Sequence, residues 1–160
     1  MGIRYVAGDA TQPEGEGTKV IVHVCNDIGA WGAGFVKALS KRWLEPERQY
    51  REWYQDRTPN RLPLGMWKLV RVEDDVYVAN LIGQEGIRTS KDGTPPVRYG
   101  AIRHGLESLG EYCRRQGWSI HMPRIGCGLA GGQWSEIEPI INETLIAREV
   151  PVTVYDLEGK

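Results

Sequence analysis

Six short apolar segments along the chain predict a β-sheet, because each is rich in the Val, Ile and Tyr residues that favour strands. Several of these segments are apolar at consecutive positions, which is typical of strands covered on both faces. A central sheet with a layer of helices on each side is therefore expected. The predicted strands cover residues 3–7, 20–24, 66–72, 76–82, 119–122 and 152–155.

Between the strands, apolar residues recur at helical spacing and predict four helices. Pro46 can open the second helix, and Gly117 can end the third. The alternation of strands and helices favours a three-layer α/β domain with a mostly parallel or mixed sheet, which occupies residues 1–160 as a single domain. Segments 57–65 and 83–96 remain as the two long loops. The predicted helices cover residues 35–43, 47–56, 97–116 and 136–147.

The length and charge of the chain narrow the classes of function. A chain of 160 residues is long enough to bury a core without disulfides or a structural metal. Twenty basic and 21 acidic residues leave a formal net charge of −1, so no overall field attracts nucleic acid or a membrane surface. A bound polyanion must therefore be held by local groups.

The cysteines and the apolar segments indicate a cytoplasmic protein. There are three cysteines, an odd number without CxxC spacing, and we expect reduced thiols. The N-terminal segment lacks the apolar run of a signal peptide, and no segment approaches the roughly 18 apolar residues of a membrane span. HExxH, paired cysteines and clustered carboxylates are absent from the sequence, so we expect neither a metal site nor a cofactor.

Glycine is concentrated in two strand-to-helix turns. The first, NDIGAWGAG, occupies residues 26–34 directly after a predicted strand. The second, PRIGCGLAGG, occupies residues 123–132 after another. In an open α/β sheet, ligands bind beyond the carboxyl ends of the strands, and helix N-termini favour anions. Two such turns facing one crevice suit a diphosphate, although glycines in these turns also occur for steric reasons alone.

Neither turn has the spacing of a common nucleotide-binding motif. The chain lacks both GxGxxG with a later acidic residue and the GxxxxGK[ST] phosphate loop. A nicotinamide dehydrogenase and an ATPase are therefore disfavoured.

Several single residues allow two interpretations. Asp9, after the first strand, can accept a hydrogen bond from an adenine amino group or can stabilise a turn. His23 and His121 lie in predicted strands among apolar neighbours and are interpreted as core histidines. Cys127 has no histidine near it in sequence, which favours a space-filling residue over a nucleophile. The tryptophans are interpreted as core residues except Trp31, which is expected to cover something bound at its glycine turn.

Five motifs together resemble the macrodomain family, over nearly the whole chain. They are GDAT (8–11), HVCNDIGAWGAGFV (23–36), ANLIGQ (79–84), MPRIGCGLAGG (122–132) and VPVTVYDL (150–157). The resemblance is greatest to the branch that contains the terminal ADP-ribose protein glycohydrolase and the yeast-type ADP-ribose 1″-phosphate phosphatase. It implies a mixed six-stranded sheet between helices, with ADP-ribose in a crevice.

The resemblance also implies which residues contact ADP-ribose. Asp9 and the backbone of Ala10 would meet the adenine. Tyr155 and Leu157 would flank it, and Asn26 would reach the distal ribose. The two glycine turns would cradle the diphosphate through Gly32, Ala33, Gly34 and Phe35 on one side and Gly126, Cys127, Gly128 and Leu129 on the other.

Two positions depart from the pattern of the glycohydrolase. In that enzyme, the strand corresponding to ANLIGQ ends in a lysine that attacks the opened ribose, and an aspartate follows the leucine of the second glycine motif. This chain has Gln84 and Ala130 at those positions. Hydrolysis would then depend on a water that the bound diphosphate holds and polarises. Asn26 and Gln84 are predicted to orient the distal ribose, and Asp27 or a loop residue such as Thr89 to transfer a proton.

The predicted function is the removal of mono-ADP-ribose from acidic side chains, so the expected partners are ADP-ribose and mono-ADP-ribosylated proteins. A module that only reads ADP-ribose and an enzyme for ADP-ribose 1″-phosphate remain as alternatives. An open, polar pocket at the distal ribose favours an enzyme, whereas a pocket filled by bulky apolar groups favours a reader. Release of ADP-ribose from nucleic acid is disfavoured by the near-neutral charge, unless a local basic patch binds the polymer.

Overall fold

The computed structural model describes residues 1–157, in which six strands form one sheet. The predicted three-layer α/β fold with a mixed six-stranded sheet is confirmed. Positions 158–160 of the predicted single domain lie outside the described residues. The strands are Arg4–Ala7 (β1), Lys19–Asn26 (β2), Trp67–Glu73 (β3), Val76–Gln84 (β4), Ser119–Met122 (β5) and Val152–Asp156 (β6). The helices are Phe35–Arg42 (α1), Glu45–Arg57 (α2), Tyr99–Gln116 (α3) and Trp134–Thr144 (α4).

The strand order places the ends of five strands at one edge of the sheet. The order is β1-β6-β5-β2-β4-β3, and every neighbouring pair is parallel except β3 with β4. The carboxyl ends of β1, β6, β5, β2 and β4 therefore lie side by side, because parallel strands share one direction. The segments that follow these strands gather at this edge.

The helices cover both faces of the sheet and bury two separate apolar cores. Along β2, Val20 and Val22 belong to the core that contains Leu106 of α3, whereas Ile21 belongs to the core that contains Leu39 of α1. This alternation follows from the two-residue period of a strand. Burial on both sides explains why the predicted strands are apolar at consecutive positions.

The bounds of several elements differ from the predicted ones. Strands β2 and β4 each continue two residues further than predicted, because Asn26 and Gln84 pair with each other at their ends. Helix α3 begins at Tyr99 rather than at residue 97, because Val97 forms an antiparallel bridge with Gln84. A 3₁₀ turn, Ile146–Arg148, replaces the end of the predicted last helix.

Candidate functional site

The predicted site residues lie where the parallel strands end. Asn26 and Gln84 are the last residues of the neighbouring strands β2 and β4. Asp9 follows β1, and Tyr155 lies next to the last residue of β6. Because these strands end at one edge, residues far apart in sequence are brought together there, as is usual for binding sites in α/β sheets.

Two cavities open at this edge and divide many of the predicted residues between them. We call them the Asn26 cavity, of about 270 Å³, and the Asp9 cavity, of about 500 Å³. The predicted residues that line the Asn26 cavity are Asn26, Gly32, Ala33, Gln84 and Leu129. Those that line the Asp9 cavity are Asp9, Ala10, Phe35, Tyr155 and Leu157.

The two glycine turns and the residue that follows the first of them line both cavities. The first glycine loop (residues 26–34) lines the Asn26 cavity, and Phe35, directly after it, lines the Asp9 cavity. The second glycine loop (residues 123–132) contributes Leu129 to the Asn26 cavity and Pro123 to the Asp9 cavity. Along each loop the chain passes from the lining of one cavity to that of the other, and we call this stretch the border of the cavities.

Several backbone N–H groups of the glycine loops are available to a ligand. Within residues 1–157, the N–H groups of Gly32 to Phe35 and of Gly128 and Leu129 donate no hydrogen bond. Gly34, with a φ of 79°, immediately precedes α1, and Gly128 has a φ of 66°. Positive φ angles allow successive N–H groups to form a concave site for an anion. The loops thus have the backbone chemistry that a diphosphate requires.

The Asn26 side chain is fixed by hydrogen bonds within the first glycine loop and to α2. Its Nδ2 donates to the carbonyl oxygen of Ala30 at 2.7 Å, and its Oδ1 accepts the N–H groups of Ile28 at 3.1 Å and Ala30 at 3.0 Å. The buried Tyr50 hydroxyl donates to the same Oδ1 at 2.8 Å. Burial raises the pKa of Tyr50, which keeps this donor protonated. One Nδ2 hydrogen of Asn26 remains for a ligand.

Trp31 is a core residue, so the expectation that it stands outside the core is wrong, although it also lines the Asn26 cavity at its glycine turn. Its side chain is 7% exposed, and its ring centre lies 5.4 Å from those of His23 and Tyr50. Its Nε1 donates to the Ser40 hydroxyl at 2.8 Å. Trp53 is the other buried tryptophan, and the remaining four are half-buried. Trp31 therefore anchors the first glycine loop to the core beneath it.

The interpretation of two histidines as core residues is confirmed. His23 Nε2 shares a hydrogen bond of 2.6 Å with Asn80 Oδ1, and burial lowers the pKa of His23 to about 4. His121 Nδ1 shares a hydrogen bond of 2.7 Å with the Tyr155 hydroxyl, and burial likewise lowers its pKa to about 4. Both histidines are therefore neutral at pH 7 and lie beneath the residues that line the cavities.

At the Asp9 cavity, side-chain hydrogen bonds hold the segment after β1. Asp9 Oδ1 accepts the N–H and the hydroxyl of Thr11, each at 2.8 Å, so Asp9 stabilises a turn. The Tyr155 hydroxyl accepts the N–H of Glu14 at 2.9 Å. Within the described residues, the bonds of Asp9 use only Oδ1, and its Oδ2 is available to a ligand.

Some predicted residues line neither cavity. The Asp27 carboxylate is buried, and its Oδ1 accepts the N–H of Gly86 at 2.8 Å. Thr89 is exposed on the loop after β4. Burial raises the pKa of the Cys127 thiol, so this thiol is protonated at pH 7, in agreement with a space-filling role. The residues in this group are Asp27, Gly34, Thr89, Gly126, Cys127 and Gly128.

Other residues line the cavities without having been predicted. Ile87 lines the Asn26 cavity, and Lys41 and Arg42 line the Asp9 cavity. Ile87 is a single apolar residue in a polar loop, and Lys41 and Arg42 form a pair of cations in the last turn of α1. These two local patterns were the signals in the sequence that pointed to them.

Residues 1–157 contain neither a cluster of metal-ligating side chains nor a membrane-spanning helix. Across residues 1–157, no group of three or more His, Cys, Asp or Glu side chains is placed to hold a metal ion. No helix in that range is long and apolar enough to cross a membrane. The three cysteines are free.

Comparison with known proteins links the chain to solved and named relatives. No protein-family model matches it. The solved macrodomain protein from Streptomyces coelicolor is 50% identical, with a TM-score of 0.84 over 96% of this chain and 98% of that one. Its fold is therefore the same along nearly the full length of both chains.

Two named relatives differ in how much of them the chain covers. Chromodomain-helicase-DNA-binding protein 1-like of Danio rerio is 32% identical over 162 residues, which are 96% of this chain and 15% of that protein. The chain thus spans a small part of that relative. ADP-ribose glycohydrolase OARD1 of Bos taurus is 37% identical over 157 residues, which are 97% of this chain and 91% of that protein. On these similarities, the chain belongs to the macrodomain family.

Proposed function

We propose that the chain binds ADP-ribose across the two cavities. The adenine would occupy the Asp9 cavity, the distal ribose the Asn26 cavity, and the diphosphate the border between them. The observation that carries this proposal is that both glycine loops lie at this border and have backbone N–H groups available. A diphosphate at the start of α1 also has a favourable interaction with the dipole of that helix.

The groups around the adenine end support the same orientation. Asp9 Oδ2 is an acceptor for the adenine amino group, and the Tyr155 and Leu157 side chains line the same cavity as flat and apolar surfaces. Lys41 and Arg42 lie in the last turn of α1 and place positive charge on the wall of the Asp9 cavity, at the other end of this helix from the expected diphosphate. Because the net charge of the chain is −1, the diphosphate is held mainly by the backbone N–H groups of the glycine loops.

We propose further that the chain is a hydrolase that removes mono-ADP-ribose from glutamate and aspartate side chains of proteins. The wall of the Asn26 cavity is mostly apolar, and its polar side chains are the amides of Asn26 and Gln84; these two amides are the feature of the cavity that supports an enzyme over a reader. A relative that is similar over nearly its whole length is named an ADP-ribose glycohydrolase. The proposed partners are accordingly mono-ADP-ribosylated proteins. In this proposal residues 1–160 form the single domain that binds them, and the reaction takes place in the cytoplasm.

The proposed reaction needs no covalent enzyme intermediate. A water held by the diphosphate attacks the anomeric carbon, and the bond from that carbon to the ester oxygen breaks. The electron pair leaves with the carboxylate, and a diphosphate oxygen accepts the proton of the water. Asn26 and Gln84 orient the distal ribose. This orientation accelerates the reaction in the absence of the glycohydrolase lysine, whose position Gln84 occupies. Thr89 remains a candidate for relaying the proton.

The test is the release of ADP-ribose from proteins modified separately on glutamate, serine and arginine. The proposal expects release from glutamate and none from serine or arginine. Gln84→Ala and Asn26→Ala should each slow release by about tenfold or more, because each removes a group that orients the ribose. Tight binding of ADP-ribose without release from any of the three would identify a reader and would contradict the proposed activity.

A further inference from the structure

Asp27 is a buried carboxylate directly beside Asn26, and it does not itself line the Asn26 cavity. The residue is 3% exposed. Its Oδ1 accepts the backbone N–H of Gly86 at 2.8 Å, and its Oδ2 lies 3.6 Å from a guanidinium nitrogen of Arg61. The first contact joins the end of β2 to the loop after β4, across 59 positions of sequence.

Gly86 is held from both sides. While Asp27 accepts its N–H, the Nε2 of Gln84 donates to its carbonyl oxygen at 3.0 Å. Gly86 has a φ of 66°, so it forms a tight turn that a residue with a side chain would strain. The next residue, Ile87, lines the Asn26 cavity, as does Gln84. The position of this cavity wall therefore depends on the two hydrogen bonds to Gly86.

We propose that Asp27 is a positioning residue, which attaches the Gly86 turn to the end of β2 and so places Gln84 and Ile87 in the wall of the Asn26 cavity. A carboxylate suits this position because a hydrogen bond from a buried N–H to a charged acceptor is stronger than one to a neutral acceptor. Arg61 partly balances the charge, but its side chain is 60% exposed, so the pair contributes little by itself.

The effect of Asp27 on catalysis rests on the proposed hydrolase function, and two variants separate positioning from proton transfer. Asp27→Asn keeps an oxygen that can accept the Gly86 N–H, but an amide cannot act as a base. Asp27→Ala removes the acceptor. We expect Asp27→Asn to retain kcat/KM within about threefold of the wild type, and Asp27→Ala to lose about 10- to 100-fold, as for a lost charged hydrogen bond.

Asp27→Asn could instead lose as much activity as Asp27→Ala, and the basic group could be missing from the pH–rate profile of Asp27→Asn. This result would show that Asp27 transfers a proton, and it would overturn the proposal. Wild-type activity in Asp27→Ala would also overturn it. If Asp27→Ala fails to fold, Asp27→Asn alone decides, because its retention or loss of rate separates the two roles.

Hydrogen exchange of the Gly86 amide in the free protein tests the attachment without any substrate. We expect slow exchange in the wild type and in Asp27→Asn, and exchange at least tenfold faster in Asp27→Ala. Asp75→Ala is the control, since Asp75 pairs with Lys19 near the opposite end of β2 and should leave Gly86 unchanged. Equal exchange of the Gly86 amide in all variants would refute the attachment of Gly86 to Asp27. If the expected differences in exchange are found but no variant releases ADP-ribose, only the proposed function is refuted.

Discussion

Tyr50 and Ala30 hold Asn26 in place before any ligand arrives. The hydroxyl of Tyr50, a side chain with no exposed surface, lies 2.6 Å from the carbonyl oxygen of Asn26 and 2.8 Å from its Oδ1, and its one hydrogen is shared between these two acceptors. Ala30 contributes both its N–H and its carbonyl oxygen to the Asn26 amide. A ligand that binds here does not have to order this side chain, which lowers the entropic cost of binding.

Replacement of Tyr50 by phenylalanine should test this arrangement. Because Tyr50→Phe removes a buried donor from Asn26, the free energy of unfolding should fall by about 1–2 kcal/mol, and ADP-ribose should bind several-fold more weakly. Urea denaturation and a binding titration measure the two effects. Tyr112→Phe is the matched control, since the Tyr112 hydroxyl forms no hydrogen bond within residues 1–157. Equal stability of both variants would exclude the proposed role of Tyr50.

The neutral core histidines predict how stability depends on pH. His23 and His121 are 2% and 3% exposed, and burial lowers the pKa of each to about 4, from about 6.5 in an unfolded chain. Above pH 6.5 both states are neutral at these positions. As the pH falls from 6.5 to 4, these positions gain protons mainly in the unfolded state. The free energy of unfolding is therefore lower by about 2 kcal/mol per histidine at pH 5.

Denaturation with urea between pH 7 and pH 5 measures this loss. His121→Gln should show a shallower dependence of stability on pH than the wild type, because one of the two buried imidazoles is absent. His104→Gln should show the wild-type dependence, because His104 is exposed. A constant free energy of unfolding across this range would contradict the burial of neutral histidines.

The burial of a single side chain was predictable where its neighbours in sequence determined its surroundings. His23 and His121 stood among apolar strand residues, and their burial followed. Trp31 stood among glycines, and nothing local indicated that it packs on Tyr50 of a helix 19 positions away. The hydrogen bond from the Gly86 N–H to the Asp27 carboxylate depends on the pairing of β2 with β4, which the sequence pattern does not specify.

Within the glycine loops, different glycines are required for different reasons. A Cβ on Gly126 would lie 2.6 Å from Ile137 Cδ1, and the φ of Gly126 is 73°. A Cβ on Gly32 would meet no atom of the described protein within 4 Å. Gly126 is therefore required by the fold, whereas the space beside Gly32 belongs to the Asn26 cavity and is open to a ligand.

Alanine substitutions should separate these two reasons. Gly126→Ala should lower the free energy of unfolding by about 2 kcal/mol or more, through backbone strain and overpacking. Gly32→Ala should change it by less than about 0.5 kcal/mol. It should nevertheless weaken ADP-ribose binding by about tenfold or more, because the methyl group occupies space that the diphosphate approaches. Unchanged affinity in Gly32→Ala would place the ligand elsewhere.

Helices and strands were predictable where hydrophobic periodicity persisted, and their ends were not. The last residues of β2 and β4, Asn26 and Gln84, are polar, so apolar pattern alone ended both strands two residues early. Val97 fitted the helical pattern of α3 but is extended, because its N–H donates to Ala130 in the second glycine loop. These polar strand ends and this bridge lie at the candidate site, where tertiary contacts override local preference.

At the scale of the whole molecule, the order of the strands assembles the site. The alternation of strands and helices predicted the layers, but it did not determine that β6 lies between β1 and β5. That order brings Asp9, after β1, next to Tyr155 of β6, and both line one cavity. The resemblance to the macrodomain family implied that Asp9 and Tyr155 lie at one adenine, but not the strand order, since the pairing of distant strands is a global property that local patterns do not contain.

The most direct test of the account is calorimetric titration of the wild-type protein with ADP-ribose, AMP and ribose 5-phosphate. If the ligand spans both cavities, ADP-ribose should bind with a micromolar or tighter Kd, and each fragment should bind at least about 100-fold more weakly. This result would support one ligand held across the border formed by the two glycine loops. Absence of ADP-ribose binding, or AMP binding as tight as that of ADP-ribose, would contradict it.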